Sequence, residues 1–478
     1  MENFECFYGG FGLRFLGLDR VSSYKKFIIL CISLLFIGEA LADANSSLRG
    51  KAFWLELVKS HQFTTLDKEL LLLQKEYERD VTKERTLLHA MSAFSNSDPL
   101  LEKELELWQK SSPDSLFAHL AMGVYHRNLG WLSRGTRWSS ETTSQQFAKM
   151  QAHFRKAKDE LLFVVDKDPK QSIAYTYLIS VLSVRSQTKL RDKYLAEGLQ
   201  NNPLSVVIRD NYINFLQPKW GGSIEEIETF LKKSKALEDQ NPTLKRLQGF
   251  VEYTQGYSLF VSRKETAYKD AIPYFSKAIT LYPNAEYLTS RANAYYYLGE
   301  YQKSLADYEA SLKDIPQNTT ALKGKAEVYR NLKQYDKALK YIDEAISYDK
   351  MDPYLLHIRG GIYYKKNRLE LAFRDFTDSL AYGYGKPYGH RMLGYIHYAK
   401  KNYSVASQEL QLAVEFGNKD SYTWYLLTAS QWHERDCKFV ESAFMYESIC
   451  KVEKSCDKKQ LTWALKSAKF AKDRGVCK

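Results

Sequence analysis

The sequence predicts an all-α protein, helix-turn-helix units stacked into a right-handed superhelical solenoid, and three recurrences carry that reading. Small residues fall in the second helix of each unit at Ala271, Ser304, Ala338, Ala372 and Ala406, spaced 33, 34, 34 and 34. Bulky residues follow four positions later at Phe275, Tyr308, Ile342, Phe376 and Leu410, and small ones again at Ala278, Ser311, Ala345, Ser379 and Ala413. In the first helix Ala292, Ala326, Gly360 and Gly394 recur every 34 residues, with Tyr295, Tyr329, Tyr363 and His397 three positions on. Small side chains let two helices cross closely, and the bulky ones fill the gap beside the crossing. No single helix pair can bury both its faces, so neighbours must stack, and a constant rotation per unit leaves a concave surface.

Composition agrees. The 478 residues are 44% hydrophobic and 14% aromatic with 11 prolines, which excludes a disordered or proline-rich chain. At the N-terminus Lys25 and Lys26 precede an apolar run from Phe27 to Ile37, then Ala40-Leu41-Ala42 before Asp43. That layout predicts a secretion signal over residues 1–42, cut after Ala42, and a periplasmic or secreted protein. The run is shorter than the roughly 20 residues of a spanning helix. The alternative is a retained inner-membrane anchor, because the stretch before the run, with Arg14 and Arg20, is long for a signal.

Residues 43–240 hold a divergent version of the repeat. Ala157, Leu161, Val164 and Pro169 reproduce the second-helix spacing, and Leu195, Gly198 and Pro203 repeat most of it. Gly123 stands as the first-helix partner, 34 residues before Ala157 where the regular units show 12, so about two dozen residues are inserted. The insertion contains Gly130, Trp131, Arg134, Arg137, Trp138 and Glu141. A second irregular segment, Gln217-Pro218-Lys219-Trp220-Gly221-Gly222-Ser223, sits at a helix junction, and Ser223 with Glu226 forms a capping-box pattern. The two tryptophan segments either pack on each other as a plug or line a pocket. In the pocket reading Arg134 or Arg137 faces an anionic group and Trp138 or Trp220 stacks on it, with Glu141 converging on the same place.

Residues 241–436 are the regular array, and 437–478 a terminal helical hairpin. The small and aromatic positions, together with Pro283 and Pro316 at the ends of their units, resemble the tetratricopeptide family, most strongly over about 260 to 420. The Arg-Gly-x-x-Trp insertion and the Pro-Lys-Trp-Gly-Gly-Ser turn resemble a bacterial domain family of unknown function, over about 80 to 240. That second resemblance implies no activity. The first implies that the first helix of each unit faces the concave side. Counting from the small residue puts Asn293, Tyr296 and Tyr297 there, then Lys323, Glu327, Arg330 and Asn331. Tyr354, His357, Tyr364 and Lys365 follow in the next unit, and Tyr388, Arg391, Tyr395 and Tyr398 in the one after. Such an aromatic, basic surface suits an extended acidic or amphipathic peptide. Relatives that clamp a C-terminal carboxylate carry Lys where Thr289 stands here, so that specificity does not transfer.

Four cysteines, Cys437, Cys450, Cys456 and Cys477, crowd into the last 42 residues. Clustered even cysteines in an exported chain read as disulfides, and three pairings exist. Helices over 438–451 and 458–473 make an antiparallel hairpin, which favours Cys437–Cys477 with Cys450–Cys456. A zinc site is the rival, but paired CxxC spacing is missing and His433 is the histidine at hand. The net charge is +12, and residues 451–478 hold nine Lys or Arg against three acids, a basic end suited to an anionic membrane surface or an acidic partner. Nucleic acid is not expected of an exported chain without a recognition motif.

The chain contains no HExxH, GxSxG or GxxxxGK, so no enzyme, catalytic residue, metal or cofactor is expected. His119 and His126, seven apart on one helix, read as structural. Two readings of function remain: an exported scaffold of the bacterial envelope that binds a protein or peptide in its groove, or a small-ligand or enzymatic pocket formed by the tryptophan inserts.

Overall fold

The computed structural model describes residues 50–134, 142–184, 187–262, 264–348, 352–381, 385–453 and 456–477, and every regular element among them is helical. The N-terminal helices are α1 (Lys51–Lys59), α2 (Phe63–Arg79), α3 (Glu84–Met91) and α4 (Pro99–Ser111). The long pair α5 (Leu116–Arg134) and α6 (Ser144–Lys167) follows, then α7 (Ser172–Leu182), α8 (Thr188–Asn201), α9 (Val206–Phe215) and α10 (Ile224–Lys235). The regular pairs are α11 (Phe250–Phe260) with α12 (Glu265–Leu281), α13 (Ala285–Tyr297) with α14 (Tyr301–Asp314), and α15 (Thr319–Asn331) with α16 (Tyr335–Tyr348). Three more continue the stack: α17 (Pro353–Lys365) with α18 (Leu369–Ala381), α19 (Lys386–Ala399) with α20 (Tyr403–Glu415), and α21 (Ser421–His433) with α22 (Lys438–Val452). The last helix, α23 (Lys458–Asp473), packs back on α22. Each helix packs mainly on its neighbours in sequence, the mark of a solenoid.

The backbone carries the 34-residue period as plainly as the side chains do. Asn284, Asn318 and Asp352 each cap a first helix, their side-chain oxygens accepting backbone N–H groups at the start of α13, α15 and α17. Gly299, Lys333, Asn367, Lys401 and Arg435 stand 34 residues apart and hold φ between 58 and 75°, turning each first helix into its second. At the crossings the predicted small-against-bulky pairs meet: a Cβ on Gly394 would lie 2.6 Å from Leu410 Cγ, so nothing larger than glycine fits there.

The insertion in the N-terminal half is built largely as extra helix. A Cβ on Gly123 would lie 2.7 Å from Leu161 Cγ, and one on Gly130, two turns on, would strike the Phe154 ring. The α5–α6 hairpin therefore crosses closely at two points of one continuous pair. Helix α7 is buried on every side, as a helix apolar all round must be. Its neighbour α9 starts on Glu84, whose buried carboxylate accepts the backbone N–H groups of Val206 (2.7 Å) and Val207 (3.1 Å) and the Ser205 hydroxyl (2.5 Å). One apolar core runs from Trp54 to Ala294, across the sequence boundary near residue 240. The capping box at Ser223 and Glu226 is formed.

Helix α1 also packs against α16, nearly 300 residues later. A Cβ on Gly50 would lie 3.4 Å from Gln317 and 3.6 Å from Tyr348. At the other end, Cys437 pairs with Cys477 and Cys450 with Cys456, their Cα atoms 5.4 and 5.5 Å apart. The two cystines clamp the hairpin of α22 and α23 at both ends.

Candidate functional site

Successive first helices present one face to a common concavity because the repeat length returns each side chain to the same place on the next unit. Tyr354, Tyr388 and Tyr422 stand 34 residues apart, as do Lys323, His357 and Arg391. Over α15, α17, α19 and α21 this face opens into a cavity of about 450 Å³. Arg330, Asn331, Lys333 and Tyr335 line one side, Gly361, Tyr364 and Lys365 the next, and Tyr388, Arg391, Met392 and Tyr395 the third, with Asp420 and Tyr422 closing it.

The site is basic and its charges are held by aromatic rings. The Arg391 guanidinium lies 4.4 Å from the Tyr388 ring centre and 5.8 Å from that of Tyr395, and 3.7 Å from Asp420. The Tyr395 hydroxyl donates to the Asp420 carboxylate at 2.8 Å. Burial raises the Tyr395 and Tyr364 phenols above their usual range, so both remain hydroxyl donors. His357 lies beside the cavity with its ring 4.4 Å from Tyr388. Burial, with the Arg330 and Arg391 charges behind it, pushes its imidazole down to about 4. The Nε atoms of Arg330 and Arg391 are buried without a hydrogen-bond partner among the described residues.

The other residues expected in the groove fall along the neighbouring units. Asn293 accepts from the Tyr308 hydroxyl at 2.5 Å, and Tyr296 from Asn331 at 3.1 Å. Tyr297 is exposed and stacks on Tyr268 at 4.8 Å. Lys323 sits 4.6 Å over the Tyr354 ring, its ammonium pKa lowered by burial. Burial raises the Glu327 carboxyl, one turn before Arg330. Tyr398 stands edge-on to Tyr403 at 5.5 Å, its phenol pushed up to about 12 by burial. Lys333, Tyr335, Gly361, Met392, Asp420 and Tyr422 were not read from sequence as groove residues. For Tyr422 the signal was present in the recurrence of Tyr354 and Tyr388.

Of the tryptophan-insert residues, Arg134 lies 5.8 Å over the Trp220 ring, and Trp220 meets Trp131 edge-on at 5.7 Å and Phe215 at 5.8 Å. Trp138 and Glu141 lie outside the described residues. His119 pairs with Glu160 at 2.6 Å, and His126 lies 3.4 Å from Glu102 and 3.3 Å from His153. Among the described residues no group of three or more His, Cys, Asp or Glu side chains is arranged to hold a metal ion. No helix among them is long and apolar enough to cross a membrane.

Residues 289–355 match the tetratricopeptide repeat family. The matched segment spans two tetratricopeptide units' worth of chain, and the backbone period extends that pattern through Arg435. Residues 52–188 and 178–241 match a domain of unknown function, DUF4034. No curated protein matches the chain. Among solved structures, PilF of Pseudomonas aeruginosa is 16% identical over 45% of this chain and 95% of its own, with a TM-score of 0.40. The Cut9–Hcn1 hetero-tetramer of the APC/C is 14% identical over 91% of this chain and 92% of its own, with a TM-score of 0.46. YrrB, described as a TPR protein with an unusual peptide-binding site, is 18% identical over 40% of this chain and 97% of its own, with a TM-score of 0.33.

Proposed function

We propose that the chain is an exported scaffold that holds an extended protein segment against its first helices, and that it works by binding rather than by catalysis. The observation that carries this reading is the wall of the 450 Å³ cavity, drawn from four successive first helices and the turn between α15 and α16. A cavity walled by several successive repeats meets more than one residue of a bound chain, as an extended ligand requires. Tyrosine supplies contact area at low entropic cost, and arginine supplies paired donors. Export is supported by the two cystines, which belong to an oxidising compartment, and by the apolar segment before Ala42.

A photoreactive residue at Tyr364 or Tyr395, expressed in intact cells, tests the groove against the same probe at exposed Lys340 of α16. The expected result is one protein crosslinked from the groove positions, absent from Lys340 and lost when Arg330 and Arg391 are both replaced by Gln. Crosslinks equal at all three positions would refute the groove as the binding face.

A further inference from the structure

Gly361 occupies a position that its neighbours fill with large side chains. The residues 34 before and after it are Glu327 and Tyr395. Its own backbone does not ask for glycine, since Gly361 is not among the residues with positive φ. Nor does packing ask for it. A Cβ there would meet only Arg330 Nη1 and Tyr388 Oη, each at an ordinary 3.8 Å, whereas a Cβ on adjacent Gly360 would press on Phe376 at 3.1 Å. A glycine inside a helix destabilises it relative to alanine. At Gly360 a close crossing explains that cost; at Gly361 the only thing gained is open space.

That space is bordered by cations with donors to spare. Arg330 and Arg391 approach it from α15 and α19, each with a buried Nε that donates to nothing among the described residues, against the general rule that buried polar groups are hydrogen-bonded. Arg330 stands beside the Tyr296 hydroxyl, and Arg391 leans on Tyr388 with one Nη 3.7 Å from Asp420. Lys333 and Lys365 add two further positive charges at the wall. The carboxylate on that wall, Asp420, is already engaged by the Tyr395 hydroxyl and by the backbone N–H and hydroxyl of Thr423.

From this geometry we infer that the Gly361 gap is a specificity pocket that takes one carboxylate of an acidic peptide between Arg330 and Arg391. The inference rests on the groove reading above and names the chemistry of its partner. The carboxylate belongs to an Asp or Glu side chain or to a chain terminus, since both present the same two oxygens to a guanidinium. The tyrosine hydroxyls of the wall supply further donors, and their rings take the apolar stem of the bound residue.

Binding of dye-labelled peptides to the full chain, followed by fluorescence anisotropy, tests it. One pool of twelve-residue peptides carries Asp or Glu at a fixed position among random uncharged residues, and a matched pool carries Asn or Gln there. Each pool is made with a free and with an amidated C-terminus. The acidic pool is expected to bind about tenfold tighter or more, the range of a charge-assisted hydrogen bond. A preference that follows the free terminus instead assigns the pocket to a C-terminal carboxylate. Gly361→Gln, which fills the gap with a neutral side chain, should abolish the preference while the chain melts no lower than the native one. Arg330→Gln in a Gly361→Ala background should do the same if the larger side chain prevents folding. Equal binding of acidic and neutral pools, or a preference surviving Gly361→Gln, overturns the pocket and leaves the groove standing. Binding of neither pool overturns both.

Discussion

Arg359 grips Asp375 through two parallel hydrogen bonds, Nε to Oδ2 at 2.9 Å and Nη2 to Oδ1 at 2.8 Å, joining the two helices of one repeat. Two units earlier Arg291 and Asp307 make the same pair, both bonds 2.8 Å, and in the unit between Lys325 lies 4.3 Å over the Tyr341 ring instead. The Asp375 side chain is 6% exposed. Arg359→Met would leave that carboxylate buried without its counter-ion, at a cost of about 3 kcal/mol. The double variant Arg359→Met with Asp375→Leu should recover to within about 1 kcal/mol of the native chain, because an apolar pair of similar volume removes the desolvation cost on both sides. Urea denaturation of the three chains measures the difference.

The turn residues at 34-residue spacing divide into one glycine and four others. Lys401 holds φ at 62°, where a side chain costs about 1–2 kcal/mol, and Gly299 holds 75° with no atom within 4 Å of the place a Cβ would take. Lys401→Gly should therefore stabilise by about 0.5–1 kcal/mol, part of the relief being offset by the freer unfolded chain. Gly299→Ala should destabilise by about 1 kcal/mol without any clash. Opposite signs for the two substitutions in the same denaturation assay are the expected result, and equal signs would remove backbone conformation as the cause.

The two cystines close loops of very different length, with sequence separations of 40 and 6. Loop-closure entropy gives about 4 kcal/mol for the longer and about 2 kcal/mol for the shorter. Cys437→Ala with Cys477→Ala should consequently loosen the α22–α23 hairpin more than Cys450→Ala with Cys456→Ala. Hydrogen exchange over residues 438–473 reads this directly, and the regular units before Arg435 should keep their protection in both variants, since each repeat leans only on its neighbours.

The regular array was legible in sequence because its packing is periodic: a small residue is needed wherever two helices cross, and the crossings recur. Ala338, Ala372 and Ala406 are wholly buried, as that logic requires. The hairpin helices and the extent of α23 follow from the same kind of pattern. What sequence could not supply was contact between chain-distant residues. Glu84 capping α9 across more than 120 residues leaves no local mark, nor does the Arg85–Asp210 pair at 3.1 Å or the contact of α1 with α16. Arg330, Tyr364 and Arg391 could be read from sequence as sharing one face, but the cavity that they line depends on what is missing. Gly361 reads as one more small residue beside Gly360 until its surroundings show that nothing presses on it.

Acid should weaken the fold through histidines that it holds neutral. His126 is 3% exposed, and burial pushes its imidazole down to about 4, with Lys156 and His153 adding to the shift and the Glu102 carboxylate opposing it. His357 is pushed down to about 4 by burial and by Arg330 and Arg391. In the unfolded chain both titrate near 6.5. Between about pH 6.5 and 4 the unfolded state therefore binds protons that the folded state refuses, so their contribution is intact above about 6.5 and is lost as the pH falls through that window. Urea midpoints taken at pH 7.5, 6 and 5 should fall in that order. His126→Gln and His357→Gln should each flatten the slope, and the effect of His357→Gln should shrink when Arg330 and Arg391 are replaced by Gln, because their charges are part of what keeps that imidazole neutral. A slope unchanged in both single variants would remove these two imidazoles as its source and pass it to other groups such as His89, whose imidazole burial also pushes down to about 4.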